Sequence, residues 1–386
     1  MSPTLELPNA DGGRSSYTLR PPTVFEPPKV PYKSRVLFAA AHVVADPNAD
    51  NREGQPAALD WEATLRYRHH LWDYGFAVAE AMDTAQRGMG LEWSATQELI
   101  ARSLADAKAR GARIACGAGT DQLASSDRVT LADVAEAYEA QCAFIESRGG
   151  QVILMASRAL AKIAQGPDDY LEVYSRVLSQ VSQPVILHWL GEMFDPALSG
   201  YWGSSRWQGA MDTCVRLIEG HRDKLDGVKL SLLDADKEVA MRRRLPEGVR
   251  MYTGDDFHYD ALIRGDARGF SHGLLGVFDA IAPVAAAAMQ ALDQGDHETF
   301  LALLQPTLPL SRHIFESPTF YYKTGLVFLA YLNGFQSHFK LVGGLEHKRS
   351  LLHLSTLFRL ADQAGLLRDP EHAARRMQRT LQALSA

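Results

Sequence analysis

The stretch LDGVKLSLLD, Leu225 to Asp234, decides how the chain folds. Side chains alternate across a strand, so Val228, Leu230 and Leu232 share one face while Gly227, Lys229 and Ser231 share the other. The bulky apolar face belongs against a layer of helices. The other face then carries an ammonium group towards the axis of a closed sheet. Seven further apolar runs have a similar texture. They are RVLFAAAHV from Arg35, GFAVAEAM from Gly75, ARIACGAGT from Ala112, QVILMAS from Gln151, PVILHWL from Pro184, VRMYTGDD from Val249 and GFSHGLLG from Gly269. Amphipathic segments lie between them. One, DWEATLRYRHHLWDYG, opens on an acidic cap and closes on glycine. Strand and helix alternating at a spacing of roughly 30 residues or more is the βαβ signature. Several strands are apolar throughout, so both sheet faces are covered. The reading is a (β/α)₈ TIM barrel spanning residues 35–295. An open doubly wound sheet is the alternative, but AAAHVVADPNADN after the first strand lacks a G-x-G-x-x-G fingerprint.

The flanks differ in composition. Residues 1–34 carry RPPTVFEPPKVP and read as an extended Pro-rich arm that wraps the domain or a partner subunit. Beyond Gly276 the chain turns helical, with APVAAAAMQALDQGDHETFLALLQ, YKTGLVFLAYLNG and the segment from Leu351 to Leu384. Residues 296–386 are expected to form a C-terminal helical extension packed on the barrel. Its apolar surplus suits a homo-oligomer, a dimer or tetramer.

Bulk composition excludes several classes. The chain has 386 residues, 46% hydrophobic, with a formal net charge of -6, so it has no electrostatic footprint for nucleic acid. Its one basic cluster, Arg242-Arg243-Arg244, reads as a solvated helix end. Three widely spaced cysteines fit neither a disulfide framework nor a zinc motif. No apolar run reaches membrane-spanning length, so the protein is expected to be cytoplasmic and soluble, with no membrane partner.

A barrel of this type works at the C-terminal ends of its strands. That rule selects His42; Asp83, Thr84, Gln86 and Arg87; Thr120 and Asp121; Ser157 and Arg158. It continues with His188, Trp189 and Glu192; Lys229 and Ser231; Thr253, Asp255, Asp256 and His258; Ser271 and His272. Lys229 is the most informative of these. Burial disfavours the charged form of a lysine, and the neutral amine attacks carbonyls to give a Schiff base. A structural ion pair with Asp255 or Asp256 accounts for the same spacing equally well.

Four segments in order, QPVILHWL, DGVKLS, YTGDD and ARGFSHGLLGVFDAIAP, resemble strands five to eight of the dihydrodipicolinate synthase and N-acetylneuraminate lyase superfamily. The resemblance covers residues 35–335. It implies class I aldolases on a (β/α)₈ barrel with C-terminal helices, and it makes Lys229, in the G-[IV]-K position, the imine former. Departures accompany the match. The family's proton-relaying tyrosine of strand five falls on His188. Its G-T-T-G-E stretch, which holds a keto-acid carboxylate, falls on MDTAQRG, where Thr84 remains as one donor and Asp83 adds negative charge. Its P-Y-Y stretch is replaced by ASRAL.

Together these readings describe a Schiff-base lyase, aldolase or dehydratase that acts on a keto acid or sugar-derived keto compound and needs no cofactor. Lys229, His188 and Ser231 form its catalytic set. Asp83, Thr84, Gln86, Arg87, Glu192, Asp255, Asp256, His258 and His272 bind the substrate. A polyhydroxylated ligand is favoured over plain pyruvate, because carboxylates accept hydrogen bonds from sugar hydroxyls. Two alternatives stay open. One is a metal-dependent barrel acting on a carbohydrate as lyase, isomerase or hydrolase, with ligands from Asp83, His188, Glu192, Asp255, Asp256, His258 and His272. The other is a non-catalytic barrel of the same fold.

Overall fold

The computed structural model describes residues 2–123 and 128–384. Its ten strands are β1 (Thr4–Pro8), β2 (Arg14–Thr18), β3 (Leu37–Ala40), β4 (Ala77–Glu80), β5 (Ile114–Ala118), β6 (Gln151–Leu154), β7 (Val185–Leu190), β8 (Leu225–Ser231), β9 (Arg250–Thr253) and β10 (His272–Leu275). The fourteen α-helices are α1 (Trp61–Asp73), α2 (Trp93–Arg110), α3 (Leu131–Glu146), α4 (Arg158–Ile163), α5 (Pro167–Gln180), α6 (Trp207–Gly220) and α7 (Ala235–Arg242), then α8 (Tyr259–Arg264), α9 (Phe278–Asp293), α10 (His297–Leu304), α11 (Leu308–Ile314), α12 (Tyr322–Leu332), α13 (Leu351–Gln363) and α14 (Pro370–Leu384).

Strands β3 to β10 close into a parallel barrel, β10 pairing with β3. These are the eight runs read from the sequence. The alternation that defined them sorts the core into two sets. Phe38, Ala40, Ala79, Ile153, Ile186 and Tyr252 pack together inside the barrel. Val78, Val152, Leu187, Val228, Leu230 and Met251 join the larger cluster between barrel and helices. Gly227 follows from this packing, because a Cβ there would come within 2.7 Å of the Tyr252 ring. Helix starts follow their local chemistry. Asp60 accepts from the Ala63 amide at the start of α1, and Thr130 with Asp133 forms a capping box on α3.

The arm contains a hairpin, β1 paired antiparallel with β2, and it is anchored within the chain. Tyr17 donates to Asp362 Oδ2 at 2.7 Å, and the Arg359 guanidinium reaches the Leu7 and Pro8 carbonyls, so α13 carries the hairpin. Helix α12 is buried along its whole length among α9, α11, α13 and α14. The basic cluster ends α7 as expected, with Arg242 and Arg243 on Asp266 and Arg244 on Asp212. All three cysteines are buried and free. Among the described residues no helix is long and apolar enough to cross a membrane.

Two predictions concern buried charge. Arg68 and Glu80 form a two-toothed pair at 2.9 and 2.8 Å with neither side chain exposed. Glu80→Ala strands the guanidinium and should cost about 3–5 kcal/mol in urea unfolding. Glu238 on α7 is held at 2.7 Å by the Ser271 hydroxyl, and burial pushes its carboxyl from 4.5 up to about 8. A carboxyl raised by folding favours the native state while protonated. Its contribution is therefore complete below its unfolded value and is lost as pH rises through 4.5 to about 8. Glu238→Gln should match the parent in thermal melts near pH ~4 and exceed it near pH ~8.5.

Candidate active site

Lys229 lies on the axial face of β8, level in register with His188 on β7 and Tyr252 on β9. Gly254, just past β9, leaves room for it. A Cβ at Gly254 would stand 2.9 Å from Lys229 Cε and 2.1 Å from Ser231 Oγ. The G in T-G-D-D is therefore space for the lysine chain. The side chain is 7% exposed, and among the described residues its Nζ makes no hydrogen bond or close ion pair. Burial lowers its pKa, with the carboxylates of Asp83 and Asp256 opposing the shift. Burial likewise pushes Asp256 up to about 7, although the Val277 amide at 2.8 Å and the charge of Lys229 stabilise its ionised form.

His188 is fully buried. Its Nε2 lies 3.2 Å from Ser231 Oγ, and its Nδ1 has no partner among the described residues. Burial and the neighbouring charge of Lys229 hold its pKa well below the usual imidazole range. It is thus a neutral ring at physiological pH.

The turn after β4 brings Asp83 and Thr84 to the mouth. Ala81 begins it at φ +55°, a conformation unfavourable for a residue with a Cβ. The Thr84 and Tyr322 hydroxyls share a 2.8 Å hydrogen bond. Tyr322 opens α12, and burial followed by the charge of Asp83 raises its pKa well above the usual phenol value. The next residue, Lys323, is also buried, and burial lowers its pKa to about 8. Its Nζ donates to the Phe320 carbonyl at 3.1 Å, and the charges of Asp83 and Asp195 act on it from outside α12. Neither Tyr322 nor Lys323 was among the expected site residues. The one local signal was a lysine inside the apolar run YYKTGLVFLAYL, the same anomaly that marked Lys229.

A cavity of about 400 Å³ opens on the β4 to β7 side of the mouth. Asp83, Arg87, Thr120, Asp121, Arg158, Lys162, His188 and Asp195 contribute its polar lining. Lys229 does not line it, but lies one strand further round, beside His188. Arg87 holds Asp121 at 3.0 and 2.6 Å and donates to the Gly117 carbonyl at 2.7 Å. Arg158 pairs with Asp195, and Thr120 with Ser157 at 2.6 Å.

Other expected residues lie elsewhere or are already engaged. Gln86 sits at φ +65° and donates to the Val342 carbonyl at 2.6 Å, which ties the β4 turn to the C-terminal extension. Asp255 accepts from the Phe257 and His258 amides and lies 2.9 Å from His258 Nδ1, so this pair closes the turn after β9. Glu192 is solvent-exposed on the loop after β7. His272 is corrected outright. It is the first residue of β10, its Nδ1 accepts from the Val36 amide at 2.9 Å, and its ring lies by Phe270 at the N-terminal end of the barrel. Trp189 points outward against Trp202 and Trp207 and is a core residue.

The residues considered as metal ligands therefore do not converge, since His272 is at the far end, Glu192 faces solvent and His258 is held by Asp255. The three-ligand group found among the described residues is His313, Glu316 and His353, in the C-terminal extension. Both ring Nδ1 atoms already face the Glu316 carboxylate, His353 at 2.8 Å and His313 at 3.2 Å.

Comparisons place this geometry among known folds. A family model described as "Protein of unknown function (DUF993)" matches residues 5–385. None of the curated proteins matches. Among solved structures, the chain is similar to a putative dihydrodipicolinate synthetase from Pseudomonas aeruginosa, at 19% identity over 84% of this chain and 99% of that one, with a TM-score of 0.61. It is similar to dihydrodipicolinate synthase from Thermotoga maritima, at 15% identity over 87% and 100%, TM-score 0.63. YagE of E. coli K12, a member of the dihydrodipicolinic acid synthase family solved in complex with pyruvate, aligns at 13% identity over 91% and 98%, TM-score 0.64. At these identities the likeness is one of fold, and the fold is the one the sequence resemblance implied.

Asp256→Asn keeps an acceptor for the Val277 amide and removes the charge. The apparent pKa of Lys229 should fall further, as read by competitive labelling of that residue with acetic anhydride across pH.

Proposed function

The chain belongs to the DUF993 family, whose description assigns no reaction, and we propose from its site that it is a Schiff-base lyase acting on a small keto compound with Lys229 as nucleophile. The observation that carries the proposal is the setting of Lys229. It is an axial lysine with burial lowering its pKa, no hydrogen-bonded partner among the described residues, and a glycine opposite that leaves space around its chain. The fold it shares with dihydrodipicolinate synthases supports a lyase of this general kind.

The neutral amine adds to a carbonyl carbon, and the carbinolamine loses water to give an iminium. Asp256, with a pKa near 7, suits proton exchange with the departing hydroxyl. The iminium then draws the electron pair of an adjacent carbon–carbon or carbon–hydrogen bond into an enamine. The Thr84–Tyr322 hydroxyl pair is the proton carrier on that side, in place of His188. A ring held neutral by burial and by Lys229 fits a hydrogen-bonding role towards Ser231 better than a charge-carrying one. Lys323 offsets the carboxylate of Asp83, which otherwise repels an anionic substrate.

Borohydride added to the protein with pyruvate and other keto acids should leave a reduced adduct on Lys229, located by peptide mass spectrometry. Lys229→Ala should abolish both adduct and turnover. An adduct on Lys323, the other buried lysine with a lowered pKa, would move the nucleophile to α12. Full activity in Lys229→Ala would end the proposal.

A further inference from the structure

The cavity beside His188 is lined by polar groups and by a larger set of apolar side chains, and the balance bears on what the site takes. Its polar lining is largely satisfied from within. Arg87 is spent on Asp121 and the Gly117 carbonyl, Arg158 on Asp195, and Thr120 on Ser157. Four of the charged groups thus enter as two Arg–Asp pairs, with Asp83 and Lys162 lining the cavity beside them. Of the groups expected to hold a polyhydroxylated substrate, Asp83 and His188 line it, whereas Gln86 donates to Val342, Asp255 closes its own turn, and Glu192 faces solvent. Its apolar lining includes Met155, Ala156, Ala159, Ile163, Leu190 and Leu198.

We infer that the substrate carries an alkyl or aryl group in this cavity, in place of a polyhydroxylated chain. The inference rests on the Schiff-base reading for the position of the reacting carbon. The substrate class is a 4-hydroxy-2-keto compound whose C4 substituent is apolar. With C2 bound to Lys229 as iminium, the C3–C4 bond breaks and its electron pair forms the enamine. The C4 hydroxyl gives its proton to the hydroxyl pair of Thr84 and Tyr322, and an apolar aldehyde forms in the cavity. The enamine takes a proton back at C3, and water releases the keto fragment from Lys229. A sugar chain in the same place buries hydroxyls against an apolar wall, and each one left unpaired lowers affinity by roughly tenfold. An apolar group gains by leaving water.

The test uses the full chain and two independent readouts. Ligand-induced shifts in melting temperature are measured with phenylpyruvate, 4-methyl-2-oxopentanoate and a six-carbon 3-deoxy-2-keto sugar acid. Borohydride trapping is measured with pyruvate. The expected result is stabilisation by the first two ligands and at least roughly tenfold weaker binding of the sugar acid. Ala159→Phe, which fills the cavity at a half-buried position, should remove the phenylpyruvate shift while trapping on Lys229 persists. Ile163→Asn, which keeps the number of side-chain heavy atoms and makes the side chain polar, should narrow the preference if Ala159→Phe fails to fold. Equal or tighter binding of the sugar acid, no stabilisation by any apolar ligand, or an unchanged shift in a folded Ala159→Phe overturns the inference. Loss of trapping with the apolar preference intact would instead overturn the Schiff-base reading alone.

Discussion

Taking one amine out of water governs the mouth of this barrel. Lys229 lies where its charged form loses hydration and where no carboxylate closes on it as an ion pair among the described residues. The groups around it share that condition. Asp256 rises towards neutrality, His188 gives up its proton, and Tyr322 holds on to its own. Each shift has burial as its largest cause, so the electrostatics of the site come chiefly from the exclusion of water. Individual charge pairs adjust the result.

That exclusion depends on the barrel being filled below the lysine. Tyr252 and Phe38 meet edge to face at 5.9 Å on the axis, and Gly227 makes way for the Tyr252 ring. Gly254 then makes way for the lysine. Gly227 on β8 and Gly254 just past β9 thus make room for a filled lower part and for the lysine above it.

The strands and the inward face of Lys229 were legible because alternation is local: Val228 and Leu230 by themselves fix where Lys229 points. Directions beyond a strand end are not local. Gln86 was placed correctly in sequence, yet its amide answers to Val342, far along the chain. His272 was assigned to the mouth because the strand was read as starting at Gly269; β10 starts at His272, and that offset moves the ring to the other end. Tyr322 and Lys323 were hidden for a different reason. Helical periodicity explains an apolar helix completely and does not say which end of a barrel it reaches. Counting acceptors in a sequence likewise does not reveal which have already been taken, as Gln86 and Asp255 show.

The two chain ends meet. Asp362 and Arg359 on α13 hold the β1–β2 hairpin, while the segment from Tyr322 to Val342 reaches the turn that carries Thr84 and Gln86. The barrel's working face is therefore completed by material made after the last barrel strand. A nascent chain that has finished its eighth strand still lacks the partners of Thr84 and Gln86, and the ring of strands is not an exchangeable module. Recombination that swapped the barrel and kept the tails, or the reverse, would have to recover the fit between Thr84 and Tyr322 before it recovered a site.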